Sequence, residues 1–144
     1  SIGKTGINSK KREGDGSTPS GVYKFNLIFY RKDRFPNFKS KINKFPIKKN
    51  MGWCDDPSSK YYNKLIKFPF KYKAEKLYKK ENIYDVIIVM NYNSKPIVKN
   101  KGSAIFLHVA TRNYKPTQGC IAVSKKDIKT LISYIDKKTK LSIN

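Results

Sequence analysis

Two short apolar segments, each alternating between faces, constrain this chain more than anything else in it. Residues 103–109 read Ser-Ala-Ile-Phe-Leu-His-Val, and residues 120–123 read Cys-Ile-Ala-Val. Successive side chains of a strand point to opposite faces. If both segments cover one core, Ile105, Leu107 and Val109 share a face with Ile121 and Val123. Ala104, Phe106 and His108 then emerge on the other side together with Cys120 and Ala122. The turn-rich stretch between them, residues 110–119, is long enough to close over a ligand rather than form a tight turn. The expectation is a hairpin that sets the chain's one histidine beside one of its two cysteines.

That pairing carries chemistry. A thiolate attacks carbonyl carbon well, and it needs a base or a positive neighbour to form near neutral pH. His108 and Cys120 would supply both parts. Gly119 permits a backbone geometry that other residues resist, and it would leave amides open to a substrate oxygen, as an oxyanion hole requires. A cysteine activated in this way reacts below the ordinary thiol pKa of about 8.5. The same spacing also suits a small buried cysteine and a hydrogen-bonded core histidine, so both readings stand on spacing alone.

Most of the remaining chain reads as β structure. Residues 21–29 form a strand after the turn cluster Gly14-Asp-Gly-Ser-Thr-Pro-Ser-Gly21, in which Asp15 and Thr18 stabilise the turn. Residues 35–51, rich in lysine and proline, are expected to make a long surface excursion. Residues 64–70 suit a short strand, and residues 74–80 a helical turn or two. The β-branched run Val86-Ile-Ile-Val-Met90 marks a buried strand within residues 82–91. Ser124-Lys-Lys-Asp127 is a helix start, with serine as cap and aspartate in the first turn. Ile128, Leu131, Ile132 and Ile135 follow at helical spacing, giving an amphipathic helix to about Asp136. Residues 140–143 return as a last strand. The fold class is therefore mainly β, a single domain spanning residues 1–144.

Motifs along the chain resemble a known family. Gly102-Ser-Ala-Ile-Phe-Leu-His108, then Pro116-Thr-Gln-Gly-Cys-Ile-Ala-Val123, is similar to the active-site signature of the YkuD-type (ErfK/YbiS/YcfS/YnhG) L,D-transpeptidases. That signature has a histidine, a loop, then Ser/Thr-His-Gly-Cys-x-Arg/Asn. Lys11-Arg-Glu-Gly-Asp-Gly-Ser-Thr-Pro-Ser-Gly-Val-Tyr23 resembles the family's Glu-Gly-Asp-x-x-Thr-Pro-x-Gly segment. Gly52-Trp-Cys-Asp-Asp-Pro57 and Tyr62-Asn63 resemble a loop of one of its branches. The resemblance runs from about Gly3 to the last strand, entering where the family already has one or two strands behind it. It departs at Gln118, where the family has histidine, and at Ala122, where it has arginine or asparagine.

The resemblance implies a YkuD-like β-sandwich or mixed sheet, with one or two short helices besides the C-terminal amphipathic one. It implies a cysteine-dependent L,D-transpeptidase acting on peptidoglycan stem peptides through a thioester acyl-enzyme and forming 3-3 cross-links. Cys120 would be the nucleophile, His108 the general base, and the Gly119 backbone part of the oxyanion site. Thr117, Gln118, Arg112, Tyr114 and Trp53 would meet the substrate, although packing is the more expected job for Trp53, with Arg112 taking a carboxylate in place of the residue lost at Ala122. The same machinery with water as acceptor is an L,D-carboxypeptidase or endopeptidase. A different reading keeps the fold without the chemistry, as a basic polyanion-binding module.

Charge bears on that second reading. The formal net charge is +22, a field that attracts polyanions. The lysines are spread through every segment, however, and no nucleic-acid motif is present, so a solvated surface is expected and not a nucleic-acid partner. No apolar stretch is long enough to cross a membrane, and no export signal opens the chain. A periplasmic or cell-wall address would need an export segment outside this sequence. Two cysteines do not make a disulfide framework, so Cys54 is expected as a free thiol near the cleft. Asp55 and Asp56 lack the further ligands of a metal site and suit turn capping. No metal or cofactor is expected, and the protein is expected to be a monomer.

Overall fold

The computed structural model describes residues 1–9 and 11–144. Among the described residues, eleven strands and one α-helix appear in chain order. The strands are β1 (Ile7–Asn8), β2 (Thr18–Pro19), β3 (Gly21–Tyr30), β4 (Lys44–Pro46), β5 (Met51–Cys54) and β6 (Leu65–Lys67). They continue with β7 (Ala74–Lys76), β8 (Val86–Met90), β9 (Phe106–Val109), β10 (Ile121–Val123) and β11 (Lys140–Ile143). The helix α1 spans Lys125–Tyr134, and a 3-10 turn at Asn82–Tyr84 leads into β8. The molecule is thus mainly β, with mixed sheets and one helix near the C-terminus.

The central sheet runs β10-β9-β8-β3-β11, with β4 also paired to β3. One edge of β3 is shared, since β11 pairs with Gly21–Lys24 positions and β4 with Ile28, Phe29 and Tyr30. A register shift between Phe25 and Leu27 turns the strand over. Phe25 and Ile28 therefore reach one core while Leu27 and Phe29 reach the other, as a bulge allows.

Alternation along β8 and β9 builds both cores. Val86, Ile88, Met90, Ile105, Leu107 and Val109 pack on one face under the helix residues Ile128, Ile132 and Ile135. Ile87, Val89, Ala104 and Phe106 face the other way, against Met51, Trp53 and Leu77 of the three-stranded sheet β6-β5-β7 and its flank. The helix begins as its sequence indicates: the Ser124 side chain accepts from the Asp127 amide at 3.0 Å, which satisfies one open donor of the first turn.

Three expectations are corrected. First, β9 and β10 pair in parallel, Ala122 opposite His108, so residues 110–120 make a crossover and not a hairpin. Second, residues 35–51 are no surface excursion: Phe35, Phe38, Ile42 and Ile47 are buried, and β4 joins the sheet. Their aromatic and aliphatic residues cap the ends of both cores while the lysines between them stay wet. Third, residues 74–76 form strand β7 against β5 instead of a helical turn. Tertiary pairing overrides local propensity there.

Candidate active site

Cys120 stands just ahead of β10, on the face that β9 shares through Phe106 and His108. Its Sγ accepts from the Phe106 amide at 3.4 Å and donates to the Ala104 carbonyl at 3.1 Å. Both partners belong to the segment that leads into the histidine. Parallel pairing puts His108 opposite Ala122, so Cys120 and His108 stand two residues apart along one face, roughly 6.6 Å of backbone rise. Both line one cleft of about 610 Å³, along with Thr117, Gln118, Glu13 and Glu75.

The imidazole is buried and oriented. His108 Nδ1 lies 2.9 Å from the Val109 carbonyl. A carbonyl oxygen only accepts, so Nδ1 carries the hydrogen and Nε2 keeps its lone pair. The Tyr84 ring packs edge-on against the imidazole with centroids 5.3 Å apart. Tyr84 in turn donates to Glu75 Oε1 at 2.7 Å, and Lys79 bridges to the same carboxylate oxygen at 3.1 Å. Burial holds the His108 pKa below its ordinary value, outweighing the bond to Val109. Burial also pushes the Cys120 thiol up to about 12, with Glu75 adding to the rise and the Phe106 amide, Lys11 and Lys79 opposing it. Both shifts favour the neutral forms, thiol and imidazole, which runs against the expectation of a thiol activated below about 8.5.

Thr117 organises the turn before the cysteine. Its Oγ1 donates to the Cys120 carbonyl at 2.6 Å and accepts from the Gly119 amide at 3.1 Å. That contact corrects the role expected of Gly119, because its N–H is already engaged. What Gly119 contributes is room. At φ +131° a Cβ there would stand 2.7 Å from the Ser17 carbonyl oxygen and 3.3 Å from Lys11 Nζ. The segment at residues 1–4 pairs along the outer side of this turn, with the Thr117 amide donating to Ile2 O and the Ala122 amide to Ser1 O, each at 2.9 Å.

The other sequence candidates divide. Thr117 and Gln118 line the cleft, and Arg112 and Tyr114 line a neighbouring depression of about 450 Å³ that shares Ile83 and Thr111 with it. Trp53 is corrected as a substrate contact. It is buried against Phe106, and its indole N–H donates to Asn63 Oδ1 at 2.8 Å. The same Asn63 oxygen accepts from the Ala104 amide at 3.0 Å. Trp53 and Asn63 thus fix the residue whose carbonyl takes the thiol hydrogen. Cys54 is free and fully buried in β5; it does not line the cleft itself, though its neighbour Asp55 and its pairing partner Ala74 do. Asp56 caps its turn through the Ser58 amide at 2.9 Å, whereas Asp55 lines the cleft beside Lys73.

Sequence reasoning missed Lys11, Glu13, Glu75, Lys79 and Tyr84. Tyr84 and Glu75 had no visible signal, since the turn before β8 brings the first to the histidine and the pairing of β7 with β5 brings the second. Lys11 and Glu13 had one: they sit in the segment that resembles the family's Glu-Gly-Asp motif.

The family model for the YkuD L,D-transpeptidase catalytic domain matches residues 1–143. Comparison with curated proteins and with solved structures found no match.

Proposed function

This chain belongs to the YkuD family of L,D-transpeptidase catalytic domains, and on that premise we propose that Cys120 is its nucleophile and His108 its general base. The family acts on cell-wall peptidoglycan. The acyl donor in this reading is a tetrapeptide stem, attacked at the carbonyl of its third, diamino-acid residue, and the protein works outside the cytoplasmic membrane.

The observation that carries the reading is the shared cleft in which a half-buried sulfur and a buried imidazole with a free Nε2 lie on one sheet face. His108 Nε2 takes the proton from Sγ as the sulfur–carbon bond forms and the carbonyl electron pair moves onto oxygen. Collapse breaks the carbon–nitrogen bond to the terminal D-alanine, whose nitrogen takes the proton from His108. The amine of a second stem then attacks the thioester. His108 accepts its proton, Sγ leaves and is reprotonated, and a 3-3 cross-link results. Water in place of that amine gives a tripeptide. In this reading proton transfer accompanies the attack, in keeping with a thiol whose pKa burial raises.

Defined disaccharide-tetrapeptide tests the reading directly. Mass spectrometry of the products is expected to show free D-alanine together with dimers linked between third residues, or tripeptide where water competes. Substrate left intact over hours at micromolar enzyme contradicts the proposal.

A further inference from the structure

A lysine is sunk into the wall of this cleft in a slot made for it. The Lys11 side chain is only 3% exposed, rare for lysine. It runs between two glycines held at positive φ. A Cβ on Gly102 would meet its Cε at 3.0 Å, and one on Gly119 would meet its Nζ at 3.3 Å. A side chain at either position would crowd the lysine. The ammonium therefore ends against the residue that precedes Cys120.

Asp15 anchors the head. Lys11 Nζ donates to Asp15 Oδ1 at 2.7 Å and, more weakly, to the Arg12 carbonyl at 3.3 Å. The amides of Ser17 and Arg12 donate to the same carboxylate. An ammonium has three hydrogens, and these contacts use two. A buried ion pair returns little net stability once desolvation is counted, so stability alone does not account for a slot of this kind. Chemistry does. The Gly119 amide is committed to Thr117 and the Phe106 amide already reaches the sulfur, so a cation against Gly119 adds stabilisation where two successive negative charges have to form.

We propose that Lys11 is the charge-stabilising residue of this site, its buried ammonium favouring the negative charge that forms on Cys120 Sγ and then on the substrate oxygen. The inference rests on the reading of Cys120 as nucleophile. Lys11 breaks and makes no bond; it lowers the energy of the sulfur anion and of the oxyanion before the carbon–nitrogen bond breaks. The other charged or titratable groups lining the cleft with Cys120 are His108, Tyr84, Glu13, Asp55, Glu75, Lys73, Lys79 and Lys115, of which Lys73 and Lys115 are exposed. Lys79 is tied to Glu75 at 3.1 Å and partly solvated, which leaves Lys11 as the buried cation.

The test exploits the opposite signs of the two partners. Lys11→Met and Asp15→Asn both break the same ion pair, so a merely structural role predicts the same consequence for both. The rate of Cys120 alkylation by iodoacetamide is read at fixed pH between 8 and 10 in a Cys54→Ala background. Lys11→Met is expected to slow it about tenfold or more, the effect of one unit of thiol pKa. Asp15→Asn, which frees the cation from its counter-ion, is expected to speed it. Acylation by a carbapenem is expected to fall about 10²-fold in Lys11→Met, the size seen when one charge-stabilising donor is removed. Equal effects of one sign in both variants, or no effect of Lys11→Met, overturn the proposal. If Lys11→Met does not fold, the sign for Asp15→Asn decides: faster alkylation supports it, and slower or unchanged alkylation overturns it. Alkylation is read whether or not any acyl-enzyme forms, so failure of the nucleophile assignment is separately visible.

Discussion

Cys120 in the ligand-free protein is a donor to the Ala104 carbonyl, and burial holds its thiol up to about 12. A raised pKa in the folded state means that the proton is released only at alkaline pH. Between pH 7 and 10 alkylation of the resting protein is therefore expected to climb about tenfold per pH unit without a plateau. A plateau beginning below pH 8.5 would show a thiolate already formed and contradict the neutral resting pair. The positions of His108 and Cys120 on one face were readable from alternation alone. Their protonation was not, because it depends on burial by Tyr84 from the turn before β8 and on Glu75 from another sheet. Packing was the stronger reading for Trp53, and its partner Asn63, a buried acceptor for the indole, is what the sequence did not display.

At the scale of elements, the crossover between β9 and β10 decides the geometry. A parallel pair needs a longer connection than a hairpin, and residues 110–120 supply one that seats Thr117, Gln118 and Gly119 at the cleft. Gly119 is its tightest point: Gly119→Ala adds a Cβ 2.7 Å from the Ser17 carbonyl oxygen at a φ that L-residues avoid. The variant is expected to lose about 1–3 kcal/mol of stability in urea unfolding, along with cleft chemistry. A Gly119→Ala protein as stable as the parent contradicts the close approach drawn here. Strands β3, β8, β9 and β11 and helix α1 were legible from apolar runs and the Ser124 cap. The direction of β10 was not, since alternation fixes which face a side chain takes and says nothing of strand polarity.

The whole molecule sets a neutral, water-poor pair at the border of its second core while the surface carries a formal charge of +22. Lysine is spread over every segment, and the acids that matter are few: Asp15 against Lys11, Glu75 under Tyr84, and Asp85 between Arg34 and Lys125. Composition displayed the excess and hid this placement, because a charge count has no coordinates. The fold's purpose, in this account, is to hold one sulfur and one imidazole in a cleft open to a stem peptide. Incubation with a carbapenem, followed by intact-protein and peptide mass spectrometry, tests that most directly. The account predicts one covalent adduct on the peptide containing Cys120, lost in Cys120→Ala and kept in Cys54→Ala. An adduct undiminished in Cys120→Ala, or none on the parent protein, contradicts it.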